Sequence, residues 1–197
     1  MRKIIFATSN EGKLQEIRDI LKDLEIELLS IKDIGLNIDI EENGMTYEDN
    51  AIIKARTVME LTNEIVLADD SGLEVDYMNK EPGVYSARFM GENTSYNIKN
   101  QYIIDRLTSA IEEERSARFV SVIACAFPNG EVITTRATVE GVIAKQIVGD
   151  NGFGYDPIFY VPEYGCTTAQ MTSDLKNQIS HRGKALRAMK EAMKKYL

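Results

Sequence analysis

Within its first 24 residues the chain changes hydrophobic period. Residues 3–7, KIIFA, form the short apolar run of a strand, and Leu14, Ile17, Leu21 and Leu24 then recur at the three-and-four spacing of one helix face. Between them lies the polar segment TSNEGK, Thr8 to Lys13. A strand that hands over to a helix through such a loop restricts the chain to folds that layer helices on a sheet. The pattern continues with a second strand over Ile26–Leu29 and a long irregular stretch, residues 32–44. A helix is predicted from Tyr47 to Leu61, opened by a capping box of Thr46 and Asp49 and carried by Ala51, Ile52, Ala55, Val58 and Met59. Residues 64–76, EIVLADDSGLEVD, read as a strand that stops at Asp69, Asp70 and a Ser-Gly turn. A helix over 94–110 follows. Two β-branched runs around PNG (128–130) then form a hairpin, and the last part of 172–197 is a helix with Ser180 as its N-cap. The predicted fold is α/β: a mixed twisted sheet flanked by helices, with parallel and antiparallel pairs together, in a single domain spanning 1–197.

Length and charge narrow the function classes. A chain of 197 residues supports one substantial core, and 44% hydrophobic with 27% charged residues is the balance of an ordinary globular protein. The longest clean apolar run, Phe119 to Phe127, is far below the roughly 18 residues a membrane span needs. The N-terminus enters a strand without the pattern of a signal peptide, so the expected location is cytoplasmic. Net charge is -8, with 31 acids against 23 Lys and Arg, which opposes binding of a polynucleotide. A small polyanion is compatible if a metal ion and a few lysines screen it. Cys125 lies in a strand-like run and Cys166 alone in a loop, with neither zinc spacing nor an expected disulfide, and a single histidine excludes a multi-histidine metal site.

Several segments carry chemistry. In TSNEGK the Thr8 and Ser9 hydroxyls, the Asn10 amide and the N–H groups of the following helix can all donate to phosphate, with Lys13 adding charge. The same residues also serve as helix caps, and the spacing is not that of a Walker loop. Glu41 and Glu42 on one loop and Asp69 and Asp70 on another could converge on Mg²⁺, or act as ordinary turn acids. Neighbours in a strand face opposite ways, so one of Asp69 and Asp70 is expected to enter a shared site. Residues 152–157, GFGYDP, place Phe153 and Tyr155 on a flexible loop, where they could stack on a base or close the core.

Six blocks in order, FATSNEGKLQEI, YEDNAIIKA, LADDSGLEVD, PGVYSARF, GFGYDPIF and SHRGKAL, resemble the inosine triphosphate pyrophosphatase family, also described as dITP/XTP pyrophosphatases. The resemblance runs from about Ile4 to Leu186. It implies an elongated mixed sheet in two lobes with a central active-site cleft, a homodimer, and hydrolysis of a nucleoside triphosphate to the monophosphate and pyrophosphate. It also implies that Thr8, Ser9, Asn10, Glu11, Gly12 and Lys13 hold the phosphates, that Glu41 and Asp70 bind Mg²⁺, and that Asp70 is the proton acceptor. Ser71 would touch substrate, and Phe153, Gly154, Tyr155, Asp156, Lys176, His181 and Arg182 would form the base pocket.

Under that resemblance the substrates are ITP, dITP and XTP, and the role is removal of deaminated purines from the nucleotide pool. Water attacks the α-phosphorus, and catalysis consists of positioning and charge neutralisation, with Lys13 and Mg²⁺ as cations. Asp69 is the alternative base if the metal occupies Asp70. Selectivity against adenine needs a donor aimed at the 6-oxo group, for which Arg182 or a loop amide is the candidate. A pyrophosphatase for another modified base and a non-catalytic nucleotide-binding module are the other two readings; a substrate panel and pyrophosphate release separate them.

Overall fold

The computed structural model describes residues 2–196. Its seven strands are β1 (Arg2–Phe6), β2 (Ile26–Ser30), β3 (Ile65–Val75), β4 (Ser116–Ala126), β5 (Val132–Ile143), β6 (Phe159–Val161) and β7 (Cys166–Thr167). They hydrogen-bond in the order β2-β1-β3-β4-β5-β6-β7. Parallel and antiparallel pairs coexist, as the sequence predicts. β1 runs parallel to β2, with Arg2 opposite Ile26, and parallel to β3, with Ile4 opposite Ile65. β6 is antiparallel to β5 and β7. The helices are α1 (Glu11–Leu21), α2 (Tyr47–Thr62), α3 (Tyr96–Arg106), α4 (Ser173–Ile179) and α5 (His181–Met193).

The chain divides into two compact units. The first comprises Met1–Asp70, Ser121–Ala137 and Arg182–Leu197, of which 2–196 are described. In it Ile4, Ile5 and Phe6 of β1 are fully buried, as expected of a parallel strand covered on both faces. Leu14, Ile17 and Leu21 of α1 share a core with Ile4, Phe6, Ile123 and Leu186. Asn10 caps α1, its side chain accepting from the Lys13 amide at 3.1 Å. The Thr46–Asp49 capping box of α2 is present in both directions. The buried face of α2 carries Asn50, Ala51, Lys54, Ala55 and Val58, so an amide and an ammonium lie one turn apart on an otherwise apolar stripe.

The second unit comprises Ser71–Val120 and Thr138–His181. Its core gathers Leu73, Val75, Ile103, Leu107, Phe159 and Met171. Arg115 is buried and its guanidinium donates to three main-chain carbonyls, those of Leu107, Ile143 and Ala144, at 2.8–2.9 Å. Cation and carbonyl ends thereby satisfy one another where α3 terminates.

Two local expectations are corrected. β3 does not stop at Asp69 and Asp70 but runs on through Ser71 and Gly72 to Val75. Turn chemistry loses here because both carboxylates are buried with cationic partners, so they do not drive the chain to the surface. Cys166 lies in the short strand β7 rather than in a loop. Both cysteines are free. Ser180, in extended conformation, separates α4 from α5. Among the described residues no helix is long and apolar enough to cross a membrane.

Candidate active site

In the first unit, the polar segment joins the end of β1 to the start of α1. Thr8 Oγ1 accepts from the Asn10 amide at 3.1 Å, which tightens the turn, and Ser9, Asn10 and Glu11 are exposed. Glu11 pairs with Lys32 at 2.7 Å, away from the acids of β3. Lys13, one turn into the helix region, reaches Asp69 at 2.6 Å.

Asp69 is buried and held by several donors. Lys13 lies at 2.6 Å, the Ser121 hydroxyl donates at 2.7 Å, and Arg182 lies at 3.4 Å on the same carboxylate. Arg182 is itself buried and also pairs with Glu16 of α1. Burial alone would raise the Asp69 pKa, but the charges of Arg182 and Lys13 and their hydrogen bonds outweigh it and hold the carboxyl well below its ordinary range. Asp69 is therefore a fixed anion that positions two cations.

Asp70 differs. Its nearest cation is Lys54 of α2, 3.5 Å away, which Glu42 shares at 3.1 Å. Oδ2 of Asp70 is buried and has no hydrogen-bond partner. Burial pushes its carboxyl up to about 6; Lys54 and Lys13 pull the other way, and Glu42 and Asp69 add to the rise. A carboxylate with one unsatisfied oxygen and a pKa near neutrality is poised to take up a proton or a cation.

The sequence gives no signal for two of these partners. Lys54 reads as one polar position in an amphipathic helix, and Glu16 as a surface residue of α1. Glu41, the metal acid implied by the resemblance, is exposed, and Glu42 is the acid that meets Lys54. Spacing alone does not distinguish two adjacent acids in irregular chain.

Among the described residues no three His, Cys, Asp or Glu side chains form a ready metal cluster. The unpartnered Asp70 oxygen with Glu42 close by nonetheless fits a hard divalent cation. Mg²⁺ commonly takes only one or two carboxylates and completes its shell with water and phosphate oxygens.

In the second unit, Asp156 organises the loop 152–156. Its carboxylate accepts from the Phe153 amide at 2.8 Å, the Thr168 hydroxyl at 2.8 Å and the Lys176 ammonium at 2.7 Å. Gly152 has φ +73°, and a Cβ there would lie 2.2 Å from the Asp156 carboxylate, so glycine is required for the close approach. Phe153 is half-buried, with the Lys176 ammonium 4.8 Å from its ring centroid. Tyr155 is buried, donates to the Ser86 carbonyl at 2.7 Å and meets the Tyr96 ring edge-on at 5.2 Å. His181 is buried and stacks on Phe119 at 4.8 Å. Tyr155 thus serves the core, and Phe153 is the less buried of the two loop rings. Ser71 is half-buried in β3, next to Asp70 in the chain.

Comparison with known proteins places this arrangement. The model of the Ham1 family matches residues 4–192. A dITP/XTP pyrophosphatase of Clostridium perfringens is 44% identical over 200 residues, 98% of each chain. One of Bacillus anthracis is 45% identical over 193 residues, 97% of this chain and 96% of its own. Among solved structures, a HAM1 protein from Coxiella burnetii is 41% identical with a TM-score of 0.89, covering 99% of this chain and 100% of its own. The Ham1 protein of Staphylococcus aureus is 39% identical with a TM-score of 0.88 and covers both chains completely. With the acids of β3, the polar β1–α1 segment and a match across nearly the whole sequence, the chain belongs to the Ham1 family.

Proposed function

We propose that the protein hydrolyses non-standard purine nucleoside triphosphates, ITP, dITP and XTP, to the monophosphate and pyrophosphate. The observation that carries the chemistry is the contrast between Asp69, saturated by Lys13, Ser121 and Arg182, and Asp70, left with an unpaired oxygen and a carboxyl pushed up to about 6. The names of the relatives, dITP/XTP pyrophosphatase, supply the substrate class.

In this reading Asp70 accepts the proton of the water that attacks the α-phosphorus; the cation it would hold favours its ionised form, the form a base needs. Asp69 holds Lys13, which neutralises charge on the phosphate chain, and the Thr8–Gly12 segment with the α1 N-terminus donates hydrogen bonds to it. Asp70 and Glu42 would hold Mg²⁺, with Glu41 at the next position. When bound, the ion supplies charge stabilisation for the departing pyrophosphate.

Loop 152–156, Lys176 and His181 take the base, with Phe153 as the stacking ring. Arg182, expected from the sequence to reach the 6-oxo group, would have to leave Asp69 and Glu16 to do so. The Phe153 amide is already taken by Asp156, so the Gly154 amide is the loop donor assigned to that task. A cytoplasmic homodimer completes the reading, and light scattering distinguishes one chain from two. The test is a panel of ITP, dITP, XTP, GTP and ATP with Mg²⁺. Release of pyrophosphate from the first three, far faster than from ATP, is expected; equal rates on ATP would refute the assignment.

A further inference from the structure

We infer that Asn100 is a positioning residue for loop 152–156 and, through it, for base selectivity. The inference rests on reading that loop as the base-binding segment. Asn100 lies on α3, is buried, and donates from Nδ2 to the Gly154 carbonyl at 3.0 Å. Its Oδ1 is buried without a hydrogen-bond partner. The amide orientation is decided by chemistry, because a carbonyl oxygen needs a donor opposite it and Oδ1 has none to offer.

The loop it holds carries glycines at 152 and 154, both with positive φ, and such a segment has more backbone freedom than any other to lose. Two bonds remove that freedom around Phe153: Asp156 receives the Phe153 amide, and Asn100 holds the carbonyl of the next residue. The neighbouring aromatic is fixed from the same helix, where Tyr96 packs edge-on against Tyr155. α3 is thereby a platform under the loop. A leucine at 100 would have the same number of side-chain heavy atoms and leave no unsatisfied oxygen of its own. An amide that tolerates an orphaned acceptor inside the protein is therefore explained by the single bond it makes. Without that bond the loop is free before substrate binds, and the ordering cost falls on binding rather than on chemistry.

The test uses Asn100→Leu and Asn100→Asp in the full chain. Both remove the donor, and the second is isosteric and keeps a polar side chain in case the first does not fold. Expected for each is a KM for ITP raised about tenfold with kcat changed by less than about twofold, and a narrower ratio of kcat/KM for ITP over ATP. Variants with the parent's KM and selectivity, or a loss confined to kcat or to the folded fraction, would overturn the inference while leaving the proposed function intact. A parent chain that does not hydrolyse ITP would instead overturn the function reading, and this inference with it.

Discussion

Asp69 and Asp70 follow one another in β3 and meet opposite surroundings: the Lys13 ammonium lies 2.6 Å from the first, whereas the nearest cation to the second, Lys54, lies 3.5 Å away and is shared with Glu42. Alternation along a strand sends the two side chains to different faces, and the helices on those faces supply different partners. One carboxylate is consumed in holding the site together, and the other is left reactive.

Asp69→Asn should damage the fold as well as the activity. It removes the buried counter-charge of Lys13 and leaves Arg182 with Glu16 alone, and breaking such a pair from one side costs about 3–5 kcal/mol. Because the fold lowers this carboxyl below its ordinary 3.8, its contribution is full above that value and is lost as pH falls below it. Urea unfolding of both proteins at pH 7 and at pH 3 checks this: the gap between them should shrink in acid.

Asp70→Asn should do the reverse, removing nearly all turnover while leaving the unliganded fold as stable or more so. A carboxyl raised from 3.8 to about 6 in the folded state loses stability as pH rises through that interval. The shift corresponds to at most about 3 kcal/mol at neutral pH, which the neutral amide would recover. Denaturant midpoints beside ITP hydrolysis rates measure both effects, and equal destabilisation by Asp69→Asn and Asp70→Asn would remove the distinction drawn between them.

The same group sets the expected pH profile. Ionised Asp70 is the active form, so kcat/KM should fall as pH drops through about 6. A bound divalent cation favours the ionised form, and higher Mg²⁺ should move this limb to lower pH. A limb that stays in place across a hundredfold range of Mg²⁺ would separate the titrating group from the metal.

Much of this was legible in the sequence, for reasons that differ by segment. Strand and helix periods located β1, α1 and α2, and Thr46 with Asp49 marked a helix start that the structure reproduces to the residue. β3 runs past the predicted stop because Asp-Asp-Ser-Gly carries turn chemistry, and only the burial of both acids against cations far away in sequence makes it strand. Lys54, Glu16 and Asn100 left no signal at all. Each is a single polar residue on a helix, and what gives it meaning is a contacting partner remote in sequence, such as Gly154 for Asn100. Arg182 stands out in the sequence, but its ion pairs with Glu16 and Asp69 reach across more than 100 positions and have no local mark.

Phe153 and Tyr155 should separate cleanly. Phe153 is half-buried and is the stacking ring of the proposed reading, so Phe153→Ala should raise KM for ITP by about tenfold or more, in line with ~1–3 kcal/mol for base–aromatic stacking, with less change in melting temperature than Tyr155→Ala. Tyr155→Ala should lower stability by about 3–5 kcal/mol, because it empties a buried site packed against Tyr96. Steady-state kinetics and thermal melts on the two variants test this, and a large melting loss for Phe153→Ala would place it in the core instead.

The central claim is that water attacks the α-phosphorus of the triphosphate with Asp70 as its proton acceptor. Hydrolysis of ITP in ¹⁸O-labelled water, followed by mass spectrometry of both products, tests it most directly. The expected result is one labelled oxygen in the monophosphate and none in the pyrophosphate, with turnover nearly abolished in Asp70→Asn. Label in the pyrophosphate, or release of inorganic phosphate in its place, would contradict the account.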